Sequence, residues 1–210
     1  MISLVIPCAY EHFKFLESLI KEILKQTLLP NEIVISLSES DKILPSVLKE
    51  LEVLDTPFPI ILIKNLEKKT PGENRQIASE NAKYDYIIYQ DADDLPHIQR
   101  IEIMNYVFEN FNANHIMHLV TKHSKMLKNR HVIENIKPHK WNKRISLKGS
   151  PTTAGNIGIH KRVLEKVKWT NHKVGEDTRF TDNVLANFDN CYRLGYTLHL
   201  YRTQYSTNHT

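Results

Sequence analysis

Cysteine is scarce in this sequence, with only Cys8 and Cys191 among 210 residues. Two cysteines so far apart in the chain argue against a disulfide framework and against a zinc ion held by cysteines. They fit a reducing compartment, so we expect a cytoplasmic protein.

Long apolar runs are also missing. No stretch approaches the roughly 20 apolar residues of a membrane-spanning helix, so we expect no transmembrane segment. Met1 leads directly into a short apolar strand, without the basic start and apolar core of a signal peptide. No internal repeat, low-complexity tract or linker divides the chain, and we predict a single domain over residues 1–210.

The first half of the sequence alternates short apolar strands with amphipathic helices. The patterns predict strands at 2–7, 32–37, 59–64 and 84–90, and helices at 11–26, 43–54, 70–82 and 98–111. Later, less regular patterns predict strands at 115–120 and 196–201, a weak strand near 132–133, and helices at 161–167 and 175–188. Strands separated by helices indicate a parallel sheet with right-handed crossovers. We therefore expect an α/β fold, with a mostly parallel central sheet, flanking helices and a less regular C-terminal third.

Three carboxylates follow the fourth predicted strand in a D-x-D-D pattern, namely Asp91, Asp93 and Asp94. Alternate residues of an extended chain point the same way, so Asp91 and Asp93 can face one site while Asp94 turns aside. Ligands of parallel sheets bind beyond the carboxyl ends of the strands, where this turn lies. Two oxygen donors there suit Mg²⁺ or Mn²⁺, which then hold phosphate oxygens. A second interpretation, compatible with the first, makes Asp94 the N-cap of a helix that begins at Leu95-Pro96.

Basic residues are concentrated in one block between Lys122 and Lys148, where Glu134 is the only acid. The nine basic residues are Lys122, Lys125, Lys128, Arg130, Lys137, Lys140, Lys143, Arg144 and Lys148. Such a block favours an anionic partner, for example a diphosphate, a phospholipid surface or a nucleic acid. A solvated loop is the simpler interpretation of most of these side chains.

Several segments, taken in their order along the chain, resemble one enzyme family. They are Val5-Ile6-Pro7, Pro71-Gly72-Glu73-Asn74-Arg75-Gln76-Ile77-Ala78, the run from Tyr86 to Asp94, Gly155-Asn156-Ile157-Gly158-Ile159-His160-Lys161-Arg162-Val163, and Gly175-Glu176-Asp177-Thr178-Arg179-Phe180. Together they resemble the nucleotide-sugar-dependent glycosyltransferases of the A-type fold, close to family 2. Each motif is weak alone, and the ordered set covers nearly the whole chain. The resemblance implies a nucleotide-sugar-binding half over about residues 1–111 and an acceptor-side half over about 112–210.

The resemblance implies a donor site for a nucleoside-diphosphate sugar, with UDP-sugar as the expected donor. The implied donor residues are Pro7, Tyr10, Glu11, Ser38, Arg75, Asp91, Ala92 and Asp93. Asp91 would contact the ribose, and Asp93 would ligate a divalent cation, Mn²⁺ or Mg²⁺, that bridges the diphosphate; His209 is a further candidate ligand. Tyr10 could stack on the base. For Arg75, a surface salt bridge with Glu73 or Glu80 is an equally good interpretation.

The turn after the second strand departs from the family pattern. Family members often place an acidic turn there, whereas this chain has Ser36-Leu37-Ser38-Glu39-Ser40-Asp41. Its serine and glutamate side chains could still hydrogen-bond a uracil edge. The identity of the base therefore stays open at this point.

By the same resemblance, Asp177 would be the catalytic base, with Glu176 supporting it. An ionised carboxylate can accept the proton of an acceptor hydroxyl as its oxygen attacks the anomeric carbon, and the configuration there would invert. Acids at a helix start are also favoured by the helix dipole, so capping is the competing interpretation. The expected function is metal-dependent, inverting sugar transfer to a hydroxyl of a glycan, lipid-linked or protein-linked acceptor.

Two other functions compete with sugar transfer. A nucleotidyltransferase also uses acids and a metal on an α/β sheet, but the segment Pro7-Cys8-Ala9-Tyr10-Glu11 lacks its usual glycine and lysine. A nucleic-acid-binding module would use the basic block, where Trp141 is the only aromatic residue available for stacking. We therefore expect no nucleic-acid partner; the basic block could instead contact an anionic acceptor or a membrane surface.

Overall fold

The computed structural model describes residues 1–124, 129–141, 154–172 and 175–202. The strands are β1 (Ile2–Cys8), β2 (Glu32–Leu37), β3 (Ile60–Lys64), β4 (Tyr86–Tyr89), β5 (Leu95–Pro96), β6 (His115–Thr121), β7 (His139–Lys140), β8 (Ile157–His160) and β9 (Cys191–Leu200). The α-helices are α1 (Leu16–Ile23), α2 (Pro45–Glu52), α3 (Pro71–Asn81), α4 (Arg100–Phe111) and α5 (Glu176–Asn187). Within these ranges, no helix is both long and apolar enough to cross a membrane.

The strands form one mixed sheet in the order β3-β2-β1-β4-β8-β6-β9-β5, with β7 paired to β9. The four N-terminal strands of this order pair in parallel, as the strand–helix alternation predicts. Beyond them, β8 runs antiparallel to β4 and β6, β6 and β9 are parallel, and β5 and β7 run antiparallel to β9. The predicted α/β architecture with flanking helices is confirmed, and one sheet joins the two halves of the chain.

Both faces of the sheet are covered, which explains why the central strands are apolar throughout. On β1, Leu4 and Ile6 join a buried cluster with side chains of α1 and α4. Val5 points to the opposite face, where it joins a cluster that includes Ala78 of α3 and Phe180 of α5. Full burial of one such aliphatic side chain contributes about 1.5–3 kcal/mol.

The start of α3 is fixed by the predicted capping box. The Thr70 hydroxyl accepts from the backbone N–H of Glu73 at 3.3 Å, and the Thr70 backbone N–H donates to Glu73 Oε2 at 2.7 Å. Pro71 occupies the first turn, where its missing N–H costs nothing. This cap determines where Arg75, two residues after Glu73, projects from the helix.

Four local predictions differ from the structure, and one of them is the helix predicted at 161–167, which is a 3-10 helix over Lys161–Glu165. Asp94 caps no helix, because Leu95 and Pro96 pair with the end of β9 as a short strand and α4 begins only at Arg100. The predicted helix at 11–26 begins as a 3-10 turn over Tyr10–Phe15 and is α-helical only in α1. The predicted weak strand near residue 132 is a 3-10 turn over Ile133–Asn135.

Candidate active site

The acid turn, residues 91–94, lies at the carboxyl end of β4 in the middle of the sheet. The Gln90 side-chain amide donates to the backbone oxygens of Asp91 at 2.9 Å and of Asp94 at 3.2 Å. The Asp94 backbone N–H also donates to the Asp91 oxygen at 3.3 Å, and Ala92 is buried. These bonds hold the turn in one shape, and its three carboxylates have different partners.

Asp91 is bound by a buried arginine from α3. Arg75 Nη2 lies 2.8 Å from Asp91 Oδ1, and only 5% of the arginine side chain is exposed. Burial alone would raise the pKa of Asp91, but the guanidinium outweighs it and holds the pKa below its ordinary value. Asp91 is therefore a well-ionised carboxylate at neutral pH.

The same arginine binds Glu176, the first residue of α5. Arg75 Nη1 lies 3.0 Å from Glu176 Oε1, across a sequence separation of 101 residues. The predicted alternative partners of Arg75 are wrong, since Glu73 bonds to Thr70 in the cap and Glu80 bonds to Gln76 and Lys168. Arg75 thus brings the acid turn and the Glu176-Asp177 pair to one site.

Packing holds α3 against the segment that precedes α5. The Arg75 guanidinium carbon lies 5.2 Å from the centre of the Trp169 ring, a cation–π contact. Trp169 Nε1 donates to the Tyr89 hydroxyl at 2.9 Å. Gly72 lets the Thr170 carbonyl approach the helix, because a Cβ on Gly72 would lie 2.1 Å from that oxygen.

Asp177 follows Glu176 in the first turn of α5 and is half-buried. Its Oδ1 accepts from the backbone N–H of Thr178 at 2.7 Å. Burial raises the pKa of Asp177 above its ordinary value; Glu176 acts in the same direction, whereas the Thr178 N–H and Arg75 oppose it. A carboxylate with a raised pKa is a stronger base than ordinary aspartate and is suited to accept a proton.

The surroundings of Asp93 disfavour its ionised form. Burial and the neighbouring carboxylates of Asp94 and Asp91 raise its pKa to about 7. His12, in the 3-10 turn after β1, lies nearby, with Nδ1 3.9 Å from Asp93 Oδ1. A buried carboxylate beside two others favours a bound cation.

Asp94 anchors the C-terminal end of β9, a role that the sequence reasoning missed. Asp94 Oδ2 lies 2.8 Å from His199 Nε2, and its Oδ1 accepts from the backbone N–H of Arg202 at 2.7 Å. The Arg202 side chain donates to the backbone oxygen of Asp93. The end of the described chain is thereby tied to the acid turn.

Arg100 is a second residue close to the acid turn that was not predicted from the sequence. It is fully buried, and its guanidinium donates to the Tyr89 oxygen at 2.6 Å, to Gln90 Oε1 at 2.9 Å and to His118 Nε2 at 2.8 Å. A further bond reaches the Gly155 oxygen. Burial lowers the pKa of Arg100 to about 9, against the opposing effect of Asp91 and Asp94, so it stays charged at neutral pH. This cation lies behind the acid turn and offsets part of its negative charge.

The other predicted donor residues lie at or just after the carboxyl ends of β1 and β2, along the same edge of the sheet. Pro7 is buried in β1, Tyr10 is 37% exposed beneath Lys42, and Glu11 is exposed. The Ser38 hydroxyl is buried and accepts from the Asn74 side-chain amide at 2.6 Å. Tyr10 and Glu11 are therefore accessible to a ligand, whereas Pro7 and Ser38 are buried.

Some predictions fall outside the described residues, among them His209 and five of the nine basic residues of the block, Lys125, Lys128, Lys143, Arg144 and Lys148. Lys140, which is described, lies in β7 opposite Tyr192 near the start of β9. His199, which contacts Asp94, lies near the other end of that strand, roughly 20 Å away at about 3.3 Å per residue. Lys140 is thus remote from the acid turn. His115 and His118 are buried in β6.

The acid turn offers Asp91 and Asp93 as oxygen donors to a divalent cation. Among the described residues, no group of three His, Cys, Asp or Glu side chains could hold a metal ion on its own. Magnesium-like ions, however, commonly bind one or two protein carboxylates and take further oxygens from substrate phosphates and water. Asp93 fits that pattern, whereas Asp91 has one oxygen engaged by Arg75.

Comparisons with solved structures agree with this architecture. The crystal structure of S. aureus TarS 1-349 in complex with UDP matches with a TM-score of 0.74 at 14% identity, over 96% of this chain and 60% of that one. The same TarS fragment in complex with UDP-GlcNAc has a TM-score of 0.73 at 14% identity, over 96% and 58% of the two chains. Mannosyltransferase PcManGT from Pyrobaculum calidifontis, in complex with GDP-Man and Mn²⁺, has a TM-score of 0.64 at 14% identity, over 93% and 54%. This chain therefore spans somewhat more than half the length of each of these structures.

Sequence comparisons assign the family. No curated protein sequence gives a significant match to this chain. Residues 3–167, which include all of β1 except Ile2, the acid turn and Gly155, match the family described as Glycosyl transferase family 2. The chain belongs to glycosyl transferase family 2 and has the A-type fold of these enzymes.

Proposed function

We propose that this chain is a metal-dependent, inverting glycosyltransferase that moves a sugar from a nucleoside-diphosphate sugar, with UDP-sugar as the expected donor, to a hydroxyl acceptor. The observation that carries the proposal is the Arg75 bridge, which places Asp91 and the Glu176-Asp177 pair at one site. A carboxylate turn for the donor and a separate base for the acceptor are the two elements that such a transfer requires.

On the donor side, Asp91 would accept a hydrogen bond from the ribose and Asp93 would bind the cation. When bound, the cation would offset the negative charge that builds on the diphosphate as it leaves. Tyr10, exposed above β1, is suited to stack on the base. The relatives support the donor class, since TarS was crystallised with UDP and UDP-GlcNAc and PcManGT with GDP-Man and Mn²⁺.

On the acceptor side, the hydroxyl oxygen would attack the anomeric carbon from the face opposite the diphosphate. The new carbon–oxygen bond forms as the bond to the diphosphate breaks, and Asp177 takes the hydroxyl proton. Displacement from the opposite face inverts the configuration at that carbon. The raised pKa of Asp177 makes it a better proton acceptor than an ordinary aspartate.

The proposal also assigns donor binding and acceptor binding to different parts of the chain. We assign nucleotide-sugar binding to about residues 1–111 and acceptor binding to about 112–210, with residues 1–210 as a single domain. Family membership favours sugar transfer over nucleotidyl transfer and over nucleic-acid binding. An anionic acceptor or a membrane surface could still engage the basic block, at a distance from the acid turn in the case of Lys140.

A thermal-shift screen tests the donor assignment. UDP, UDP-GlcNAc, GDP-mannose and ADP would be added with Mn²⁺, with Mg²⁺ and with EDTA. A ligand that binds only the native state raises the midpoint, by an amount equivalent to about 2.7 kcal/mol at 100 times its Kd. We expect a shift with a nucleotide only when the cation is present. Absence of a shift with any nucleotide, under any metal condition, would contradict the proposal. NMR of the product anomer would test inversion.

A further inference from the structure

We propose that Arg75 is a positioning residue that holds the acceptor-side base at a fixed place relative to the donor-side acid, rather than a donor ligand. Its guanidinium holds Glu176, and with it the turn of α5 that carries Asp177, against Asp91. The assignment rests on the proposed function in so far as Asp177 is the base.

The geometry of the bridge supports this role. Two different nitrogens of one planar group contact the two acids, Nη2 with Asp91 at 2.8 Å and Nη1 with Glu176 at 3.0 Å. Because the guanidinium is rigid, it sets the spacing of the two carboxylates as well as their charge. One N–H of each of these nitrogens is thus engaged within the protein before any donor arrives, whereas the buried Nε has no partner among the described residues.

Burial makes the bridge a fixed part of the fold. The Arg75 side chain is 5% exposed, and those of Asp91 and Glu176 are 18% and 13% exposed. Trp169, stacked on the guanidinium, is itself bonded to α3 through the Gln76 side chain, which accepts from the Trp169 backbone N–H at 2.9 Å. A buried cation of this kind can neither swing into solvent nor exchange partners without disturbing α3.

Charge balance explains what the bridge prevents. Without Arg75, two partly buried carboxylates on different elements would face each other with no cation between them. Like charges in such a site repel, and one would have to protonate or move away. The first turn of α5 is the more movable element, since Glu176 is its first residue whereas Asp91 is held by the closed acid turn. Displacement of that turn would carry Asp177 with it.

A double-mutant cycle separates positioning from donor binding. The proteins are wild type, Arg75→Met, Glu176→Gln and the double variant, compared in kcat with the sugar nucleotide selected by the thermal-shift screen and in UDP affinity with Mn²⁺. We expect each single variant to lose at least tenfold in kcat and the double variant to lose no more than threefold beyond either, because both break one bridge. The Kd for UDP should stay within threefold. Multiplicative losses in kcat, or a tenfold loss of UDP affinity with normal kcat in Arg75→Met, would overturn the proposal.

Two further variants show whether a loss of kcat comes from the broken bridge or from a general disturbance of the fold. Lys168→Met removes another cation that reaches α3, through the exposed pair with Glu80 at 3.3 Å, and should leave kcat unchanged. Arg75→Lys keeps the buried charge but offers one ammonium to two acids, so its kcat should lie between those of wild type and Arg75→Met. Wild-type kcat in Arg75→Lys would show that the fork geometry is irrelevant and would overturn the proposal.

A measurement that does not depend on catalysis tests the positioning role of Arg75 separately from the proposed function. In ¹H–¹⁵N spectra, the amide of Thr178, which donates to Asp177 Oδ1, reports the position of the first turn of α5. That signal should move in Arg75→Met and Arg75→Lys, and stay in place in Lys168→Met. If the wild type turns over no sugar nucleotide, the proposed function fails while the spectra still decide the contact. An unmoved Thr178 amide in both Arg75 variants would refute the positioning role.

Discussion

Arg75 Nη1 lies 3.0 Å from Glu176 Oε1, although 101 residues separate the two in the chain. Because Arg75 also binds Asp91, one side chain connects the turn after β4 with the start of α5. Helix α3 can make this connection because its first turn is fixed by a capping box and its next turns pack on Trp169. The buried guanidinium of Arg75 thus joins the acid turn to the start of α5 in the candidate site.

Asp93→Asn should abolish cation-dependent binding of UDP. The amide removes the negative charge that a divalent ion requires, while the shape of the turn is kept by Gln90. The measurement is the Mn²⁺-dependent shift of the thermal midpoint with UDP, which we expect to disappear. Asp85→Asn is the matched control, since Asp85 is exposed and lies just before β4, at the opposite end of the strand. An undiminished Mn²⁺-dependent shift in Asp93→Asn would exclude Asp93 as the ligand.

Asp177→Asn should keep donor binding and lose transfer. Loss of a general base typically costs about 10²–10⁴-fold in rate. The readouts are kcat for transfer and the Kd for UDP with Mn²⁺, and the second should match the wild type. Asp182→Asn, an exposed acid on the same helix, serves as the control. A transfer rate in Asp177→Asn equal to that of the control would mean that another group takes the proton.

The pH dependence of kcat should show the environment of Asp177. Burial and Glu176 raise the pKa of Asp177, and Arg75 and the Thr178 N–H offset only part of that effect. A base must be deprotonated to act, so a raised pKa moves the acidic fall of kcat to a higher pH than an ordinary aspartate would give. In Arg75→Lys, a single ammonium replaces the guanidinium and cannot contact both acids in the same geometry. The pH at which kcat falls on the acidic side should therefore differ from that of the wild type. An acidic limb at the pKa of a free aspartate would show that Asp177 does not control the rate.

Features of this site that depend on a short stretch of sequence could be predicted, whereas contacts between distant segments could not. Short stretches of sequence specify the apolar strands β1, β2 and β4, the cap of α3 and the D-x-D-D turn. The structure contains each of these features. The contact between Arg75 and Glu176 depends instead on how α3 and α5 pack on the same face of the sheet. No pattern within either segment specifies that packing.

Arg100 shows the same limit, although a signal was present. It lies three, four and seven positions before Ile103, Met104 and Val107, on the buried stripe of α4. A charged residue on such a stripe requires buried partners, which here are Gln90, His118 and backbone oxygens. The partners of Arg100 could not be predicted from the sequence, because they lie in or next to β4, β6 and β8 and not in α4.

Gly155→Ala should disturb the acid turn through steric contact with Asp91. A Cβ at residue 155 would lie 2.8 Å from Asp91 Oδ2 and 2.8 Å from His199 Cε1, so one of those side chains must move. Overpacking of this kind costs about 1–3 kcal/mol. We expect that loss in urea unfolding, together with weaker binding of UDP. Gly195→Ala is the matched control, because its Cβ would meet no atom within 4 Å. Equal stabilities of the two variants would show that the turn tolerates the extra methyl group.

His115 should make the fold sensitive to acid. It is fully buried in β6, and burial lowers its pKa from 6.5 to about 3. In the unfolded chain the imidazole would bind a proton near pH 6.5 while the native state does not, so the unfolded state binds more protons below that pH. The contribution to stability is thus complete above about pH 6.5 and is lost as the pH falls toward about 3, at up to about 1.4 kcal/mol per pH unit. His115→Phe should flatten the slope of unfolding free energy against pH between 6.5 and 4.5, whereas replacement of the exposed His172 by asparagine is the control. A slope unchanged by His115→Phe would mean that other groups cause the acid sensitivity.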